Sequence, residues 1–414
     1  MSFARFLRAN APFLSVGVLL TFLSSFGQTF FISVFAGEIR AEFGLSHGAW
    51  GGIYSLGTTA SAALMIWLGT LTDRHRVRVL APFVLAGLSA ACLFMAAVPV
   101  VWLLPLAIFF LRFLGQGMST HIAVVAMARW FVASRGRALS VATLGVAAGE
   151  ALLPLLFVAL LGVYDWRTLW LVAAVVIAVL IPVIGPLLRL ERTPQSIAES
   201  GASLGMEGRH WTRRDMTRHW LFWLIVPALL APPAFATAFF FQQVHIAESK
   251  GWAHLQIAAM FPVFTLSGVV GLLLSGALID RIGTGRLMPL AQLPMALGFL
   301  LFGLTESLVA AGVAMALMGL SQGANSTVPN AFWAEFYGTR HLGAIKSLTV
   351  AIMVFGTAIG PALTGVLIDA GLAFTTQMPG IAGYFVFAAL LVGLGMAWAR
   401  PLLSPPAEVD IERA

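Results

Sequence analysis

The sequence predicts an all-α integral membrane protein with twelve transmembrane helices in two pseudo-symmetric six-helix halves. Three observations predict it. Only 10% of the 414 residues are charged and 59% are hydrophobic, whereas a soluble surface needs about 25% charged residues. Apolar runs of about 20 residues, the length that crosses a bilayer, recur from one end of the chain to the other. The loops between them alternate between arginine-rich and arginine-poor.

Taken in order, the first apolar run follows Arg5 and Arg8 and is too long for the core of a signal peptide, so it is expected to stay as a membrane helix. Helices are expected over 12–36, 50–70, 79–98, 103–128, 138–162 and 168–188, then over 219–244, 256–277, 287–305, 308–332, 346–368 and 380–400. Trp102 to Pro105 separates helices 3 and 4, and Glu306 separates 9 and 10. The domains are therefore residues 1–188, a polar linker over 189–218 expected to hold a short surface helix, a second half over 219–400, and an acidic tail over 401–414.

Orientation follows from charge. Of the 24 basic residues, 20 fall on one side of this arrangement; the other side has Arg40, Arg167 and Lys250, and Arg112 lies within a helix. The positive side of a membrane protein is cytoplasmic, so both termini and the linker are expected there, in the inner (plasma) membrane of a bacterium. The same topology accounts for the net charge of +7 without a nucleic-acid partner. The single cysteine, Cys92, is expected to be a small buried hydrophobe.

The halves repeat at an offset of 207 residues. Leu71, Asp73 and Arg74 match Leu278, Asp280 and Arg281, and Gly69, Pro82 and Thr58 match Gly276, Pro289 and Thr265. An ordered cluster in the same loop of each half indicates parallel repeats, the construction of one large class of secondary transporters.

The stretch Gly69-Thr-Leu-Thr-Asp73-Arg74-His-Arg76-Val-Arg78 resembles the helix 2–3 loop signature of the major facilitator superfamily, and Gly276-Ala-Leu-Ile-Asp280-Arg281-Ile-Gly283 resembles its second-half copy. Gly69 and Gly276 are expected to let neighbouring helices approach closely. Asp73 and Asp280 can accept from a helix N-terminus or pair with an arginine. The resemblance implies that Gly69, Asp73, Arg74, Arg78, Gly276, Asp280 and Arg281 form gating latches; the plainer alternative is that the arginines merely hold the loops inside.

Arg112-Phe-Leu-Gly-Gln116-Gly117 is similar to a fourth-helix signature of the same superfamily. Arg112 lies about 15 Å deep, where a charge costs at least about 2.5–3.5 kcal/mol and faces a partner or a cavity. Glu150, about 20 Å into helix 5, is the partner within reach. Two roles are open for such a pair: a proton-coupling device that breaks when Glu150 is protonated or an anion reaches Arg112, or a fixed structural contact.

The resemblance also implies a central cavity lined by helices 1, 4, 7 and 10. Gln28, Gln116, Gln242, Gln322 and Asn325 lie there and join Arg112 as candidate substrate ligands. His121, nine residues beyond Arg112, falls on the opposite helical face and is expected to make a helix–helix contact. Gly145 and Gly149 of helix 5 are expected to pack closely, and Pro227, Pro232 and Pro233 to break the hydrogen bonding of helix 7. Phrases such as Arg135-Gly-Arg-Ala-Leu-Ser140 are similar to the bacterial monocarboxylate and oxalate/formate branch. The implied activity is symport of a small organic anion with protons by a monomer. The alternatives are export of amphipathic drugs or metabolites, and a non-transporting sensor or membrane enzyme. No nucleotide-binding or metal-ligating pattern is present, so no cofactor, metal or catalytic residue is expected.

Overall fold

The computed structural model describes residues 3–69, 71–131, 135–189, 204–338 and 340–403. These residues form helices and turns, with no strand among them. Twelve long helices follow one another: α1 Phe3–Ser24, α2 His47–Leu68, α3 Val77–Ala97, α4 Val101–Met127, α5 Arg135–Leu161 and α6 Trp166–Arg189. Then come α7 Trp220–Phe241, α8 Phe261–Ile282, α9 Thr284–Leu304, α10 Leu308–Tyr337, α11 Leu342–Asp369 and α12 Phe374–Ala399. Eleven of them are long and apolar enough to cross a membrane. The twelfth, α2, has 22 residues but carries Ser55, Thr58, Thr59 and Ser61. Two of these are bonded within the fold: the Ser55 hydroxyl donates to the Ala358 carbonyl and that of Ser61 to Thr58. Large apolar side chains such as Phe83, Trp102, Leu266 and Leu273 lie on the outside, the inverse of a soluble protein and the surface a bilayer requires.

The linker ends in the expected short helix, Arg213–Arg218, started by a reciprocal capping box between Thr212 and Asp215. Trp211 beside it is buried, and its backbone N–H bonds the Tyr337 carbonyl at 3.1 Å.

Two compact units emerge from the packing. One comprises Met1–Ala198, Ala234–Thr265 and Thr357–Thr376; the other comprises Glu199–Pro233, Leu266–Gly356 and Gln377–Ala414. The first has an aromatic centre in which Phe31 meets Phe26, Phe157 and Trp170 edge-on at 4.8–5.2 Å. The second is built around Trp211, Phe332, Trp333, Phe336 and Tyr337. The first unit thus contains the arginine-poor ends of α7, α8 and α11 as well as the first six helices.

One sequence expectation about helices is corrected. The first apolar run is not one helix. After α1 it passes through a 3-10 turn at Ser25–Gly27, an extended Gln28, a short helix Thr29–Ile32, a second 3-10 turn and a helix Ala36–Phe43. The seventh helix, α7, runs on through Pro227, Pro232 and Pro233, each of which lacks the N–H of an intrahelical bond, as expected. The Tyr384 hydroxyl donates to Pro227 O at 3.3 Å.

Close helix approach occurs where sequence reasoning placed it in helix 5; at Gly69 a Cβ would meet His121 Nε2 of α4 at 3.7 Å. A Cβ on Gly145 would sit 2.1 Å from the Val18 carbonyl, and one on Gly149 2.0 Å from Ser25 Oγ. At Gly69 a Cβ would press on Met65 O of its own helix, and at Gly276 it would meet nothing within 4 Å among the described residues. Overpacking costs about 1–3 kcal/mol or more, whereas alanine gains about 0.5–1 kcal/mol over glycine inside a helix. Gly145→Ala is therefore expected to lower the thermal midpoint of the detergent-solubilised protein, and Gly276→Ala to leave it unchanged or raise it.

Candidate functional site

The interruption of the first helix at Gln28 leaves backbone carbonyls without intrahelical partners, and such groups must be satisfied inside an apolar bundle. Arg112 supplies one donor. Its Nη1 donates to Gly27 O at 3.3 Å and to Thr29 Oγ1 at 3.3 Å, and its guanidinium lies 5.4 Å from the centre of the Tyr54 ring. Thr29 in turn shares a short hydrogen bond with the Tyr54 hydroxyl. Arg112 is 2% exposed, and its Nε has no acceptor among the described residues.

Small residues create this approach. A Cβ on Gly27 would fall 2.1 Å from Leu111 O, and one on Gly115 2.6 Å from Gly27 Cα. From Arg112 to Ser119 the fourth helix is wound as a π-helix, a wider turn that commonly marks functional sites. Gln28 and Gln116, both expected ligands, are half-buried beside this break.

Glu150 does not pair with Arg112. Its Oε2 accepts from Thr265 Oγ1 at 3.0 Å, so the two charged groups expected as a couple each hold neutral partners in this state. Thr265 is the repeat counterpart of Thr58, which was the available signal for it. Glu150 is half-buried.

Gln322 and Asn325 lie together as expected. They line a cavity of about 80 Å³ with Gln292, Ser326, Pro232 and Pro233. Gln292 Nε2 donates to Asn325 Oδ1 at 2.8 Å, and Asn325 Nδ2 donates to Ser321 O at 2.9 Å. Gln292 Oε1 and Gln322 Oε1 are buried without a donor among the described residues. Sequence reasoning missed Gln292, which sits where α9 is loosened; Pro294 lacks the N–H that would bond the Leu290 carbonyl.

Gln242 lies directly after α7, late on the seventh helix as expected. It is 3% exposed, and its Nε2 donates to Thr364 Oγ1 at 3.2 Å, in the arginine-poor end of the first unit. Nearby, Gln243 Nε2 donates to Ser33 Oγ at 2.7 Å. The Asp369 carboxylate accepts from the His47 and Gly48 amides at 3.0 and 2.8 Å, at the start of α2. These bonds join α2 and the first apolar run to the ends of α7 and α11. A carboxylate at a helix N-terminus contributes up to about 1–2 kcal/mol, so Asp369→Ala is expected to speed hydrogen exchange at the first amides of α2 about fivefold or more, read by mass spectrometry.

The same end carries Glu42, which accepts from Arg167 and, at 2.8 Å, from Trp166 Nε1; Arg167 also donates to Ala96 O and Val98 O at 2.7 and 2.8 Å. The bond from Arg167 holds the Glu42 carboxyl below the ordinary carboxylate range. A carboxyl depressed in the folded state stabilises above its unfolded pKa and loses that contribution as pH falls through the folded value. Acidification below the usual carboxylate range is thus expected to destabilise the wild type by up to about 1 kcal/mol more than Glu42→Gln, seen in paired thermal melts.

The side chains of Asp73, Arg74 and Asp280 lie outside the described residues. Arg78 and Arg281 are exposed. The helix 2–3 loop is anchored from the fourth helix: His121 Nε2 lies 3.2 Å from Gly69 O and 3.2 Å from Thr72 Oγ1, and Arg129 Nη1 donates to Thr72 O at 2.5 Å. His121 makes the helix–helix contact expected of it, and Arg129, read only as a topological charge, holds the loop.

Polar groups gathered at breaks in apolar helices, within a surface fit for lipid, define a polytopic membrane transporter. The chain belongs to the Major Facilitator Superfamily, whose family model matches residues 17–361 and 234–414; it is a transporter rather than an enzyme. Solved structures share the fold: a bacterial homologue of the human lysosomal transporter Spinster, inward-facing and unoccupied, has a TM-score of 0.71 at 17% identity, over 96% of this chain and 99% of that one. The nucleoside transporter NupG has a TM-score of 0.70 at 14% identity, over 93% and 99%. Among sequences, monocarboxylate transporter 13 of Rattus norvegicus is 27% identical over 294 residues, 69% of this chain and 64% of that one. An uncharacterised MFS-type transporter of Mycobacterium tuberculosis is 29% identical over 106 residues, 26% of this chain and 15% of that one. The matched region is thus under two thirds of the length of these relatives.

Proposed function

We propose that this transporter carries a small organic anion, of the monocarboxylate kind, together with protons, by alternating access. The observation that carries the reading is Arg112: a buried cation whose partners are a carbonyl, a hydroxyl and an aromatic face, with no carboxylate among them. An anionic ligand would offset the cost of a charge at that depth. Glu150, bonded to Thr265 alone, takes the proton. The name of the rat relative supports the same substrate class. The amides around the cavity at Gln292, Gln322 and Asn325 offer polar contacts to the substrate once it has entered. Asp73, Arg74 and Arg78 with Gly69, and Asp280 and Arg281 with Gly276, act as latches on the arginine-rich side. That side is cytoplasmic in a bacterial inner membrane, and the protein works as a monomer. The end bearing Asp369 then faces outward, and its bonds to α2 are the outer seal.

Proteoliposome flux tests the reading. An alkaline-inside pH gradient is expected to drive accumulation of a short monocarboxylate, and collapse of the gradient by a protonophore to stop it. Efflux of hydrophobic cations with no carboxylate uptake would replace this reading with drug export. Absence of flux with carboxylates, amines and sugars would point to a non-transporting sensor.

A further inference from the structure

We propose that His47, His245 and Glu248 form a binding site for a borderline transition-metal dication such as Zn²⁺, at the arginine-poor end of the first unit. Their donor atoms all lie within 4.8 Å of one another, and the two imidazole rings stand edge to face with centroids 4.6 Å apart. His245 and Glu248 are three residues apart on the short helix Gln243–Lys250, a spacing that puts both on one helical face. His47 comes from the first residue of α2.

Two imidazoles and one carboxylate are the donor set of an open three-ligand site, with a position left for water. Zinc binding would draw these donors together, to bonds of about 2.0–2.2 Å. Both histidines are half-buried and Glu248 is exposed, so the site is open to ions in solution.

The surrounding charges suit a dication. Glu248 and Asp369 stand against one guanidinium, Arg40, whose field reaches both carboxylates. The Glu38 carboxyl is raised chiefly by burial, with the Glu248 charge adding to it, and a nearby cation would favour its ionised form. One contact opposes binding. His245 Nε2 accepts from the Phe374 amide at 3.3 Å. Coordination at Nε2 takes that lone pair and coordination at Nδ1 moves the ring proton onto Nε2, so the bond is given up either way; its length makes it a weak one.

Occupancy would tie the start of α2 to the end of α7, beside the Asp369 bonds, and hold this end shut. The sequence offered no signal, because the two histidines are 198 residues apart and no short spacing links them. The proposal stands whether or not the substrate is an organic anion.

The test uses the full-length protein, stripped with chelator and free of any histidine tag, titrated with Zn²⁺ by calorimetry. One bound ion per chain is expected, with affinity reduced about tenfold or more by His245→Gln, His47→Gln and Glu248→Gln. Glu248→Gln changes an exposed group and serves as the variant whose folding is not in question. Co²⁺ in place of Zn²⁺ is expected to give the visible bands of a cobalt–imidazole complex, lost in the same variants. Zn²⁺ is also expected to raise the thermal midpoint of the wild type alone. Failure to bind, or equal binding by wild type and all three variants, would overturn the proposal.

Discussion

Arg112→Gln is expected to abolish concentrative uptake of organic anions while the protein still folds and inserts. A hydrogen bond to a charged group is worth about 1.5–3 kcal/mol, so losing the contact to a bound carboxylate lowers uptake efficiency roughly 10- to 150-fold. The same substitution weakens the support of the Gly27 carbonyl at the helix break, which adds a stability cost of about 1–3 kcal/mol. Arg112→Lys separates the two effects. It keeps the charge but replaces a planar fork by a point donor, so it is expected to retain partial anion uptake, with the Michaelis constant raised more than the maximal rate is lowered. Counterflow in proteoliposomes, with thermal melts alongside, reads both consequences.

Glu150→Gln is expected to separate transport from the proton gradient. The amide keeps an oxygen that accepts from Thr265 Oγ1, as Glu150 does at 3.0 Å, so packing against α8 survives. The proton-binding step is lost. Accumulation against a gradient should fall to equilibration, and the pH dependence of uptake should flatten, while exchange of labelled for unlabelled substrate persists. Full pH-driven accumulation by Glu150→Gln would remove Glu150 from the coupling mechanism.

The architecture was legible because bilayer physics leaves few choices. Helix length, loop charge and a repeat of 207 residues together indicate twelve helices, and the family assignment agrees. The interior was less legible, for reasons visible in particular residues. The break at Gln28 is made by tertiary contacts: Gly27 and Gly115 press together, and Arg112 takes up a carbonyl left by the interruption. Nothing within residues 12–36 alone distinguishes this from an unbroken helix. Arg112 and Glu150 were correctly singled out as expensive groups, but the depth of a charge in a helix does not say which neighbour it faces. Thr265 and Gln292 are ordinary polar residues until the fold places them beside Glu150 and Asn325. Gln242 was read as a candidate ligand from its helix, and its bond to Thr364, 122 residues away, has no signal in the sequence.

The most direct test of the central claim is ligand-induced thermal stabilisation of the purified protein, screened across small carboxylates, amines and sugars for the wild type and Arg112→Gln. A ligand that binds only the folded state raises the midpoint in proportion to occupancy. A monocarboxylate should stabilise the wild type, most strongly at mildly acidic pH, and leave Arg112→Gln unmoved. Stabilisation by an amine or a sugar with no response to any carboxylate, or an undiminished carboxylate response in Arg112→Gln, would contradict it.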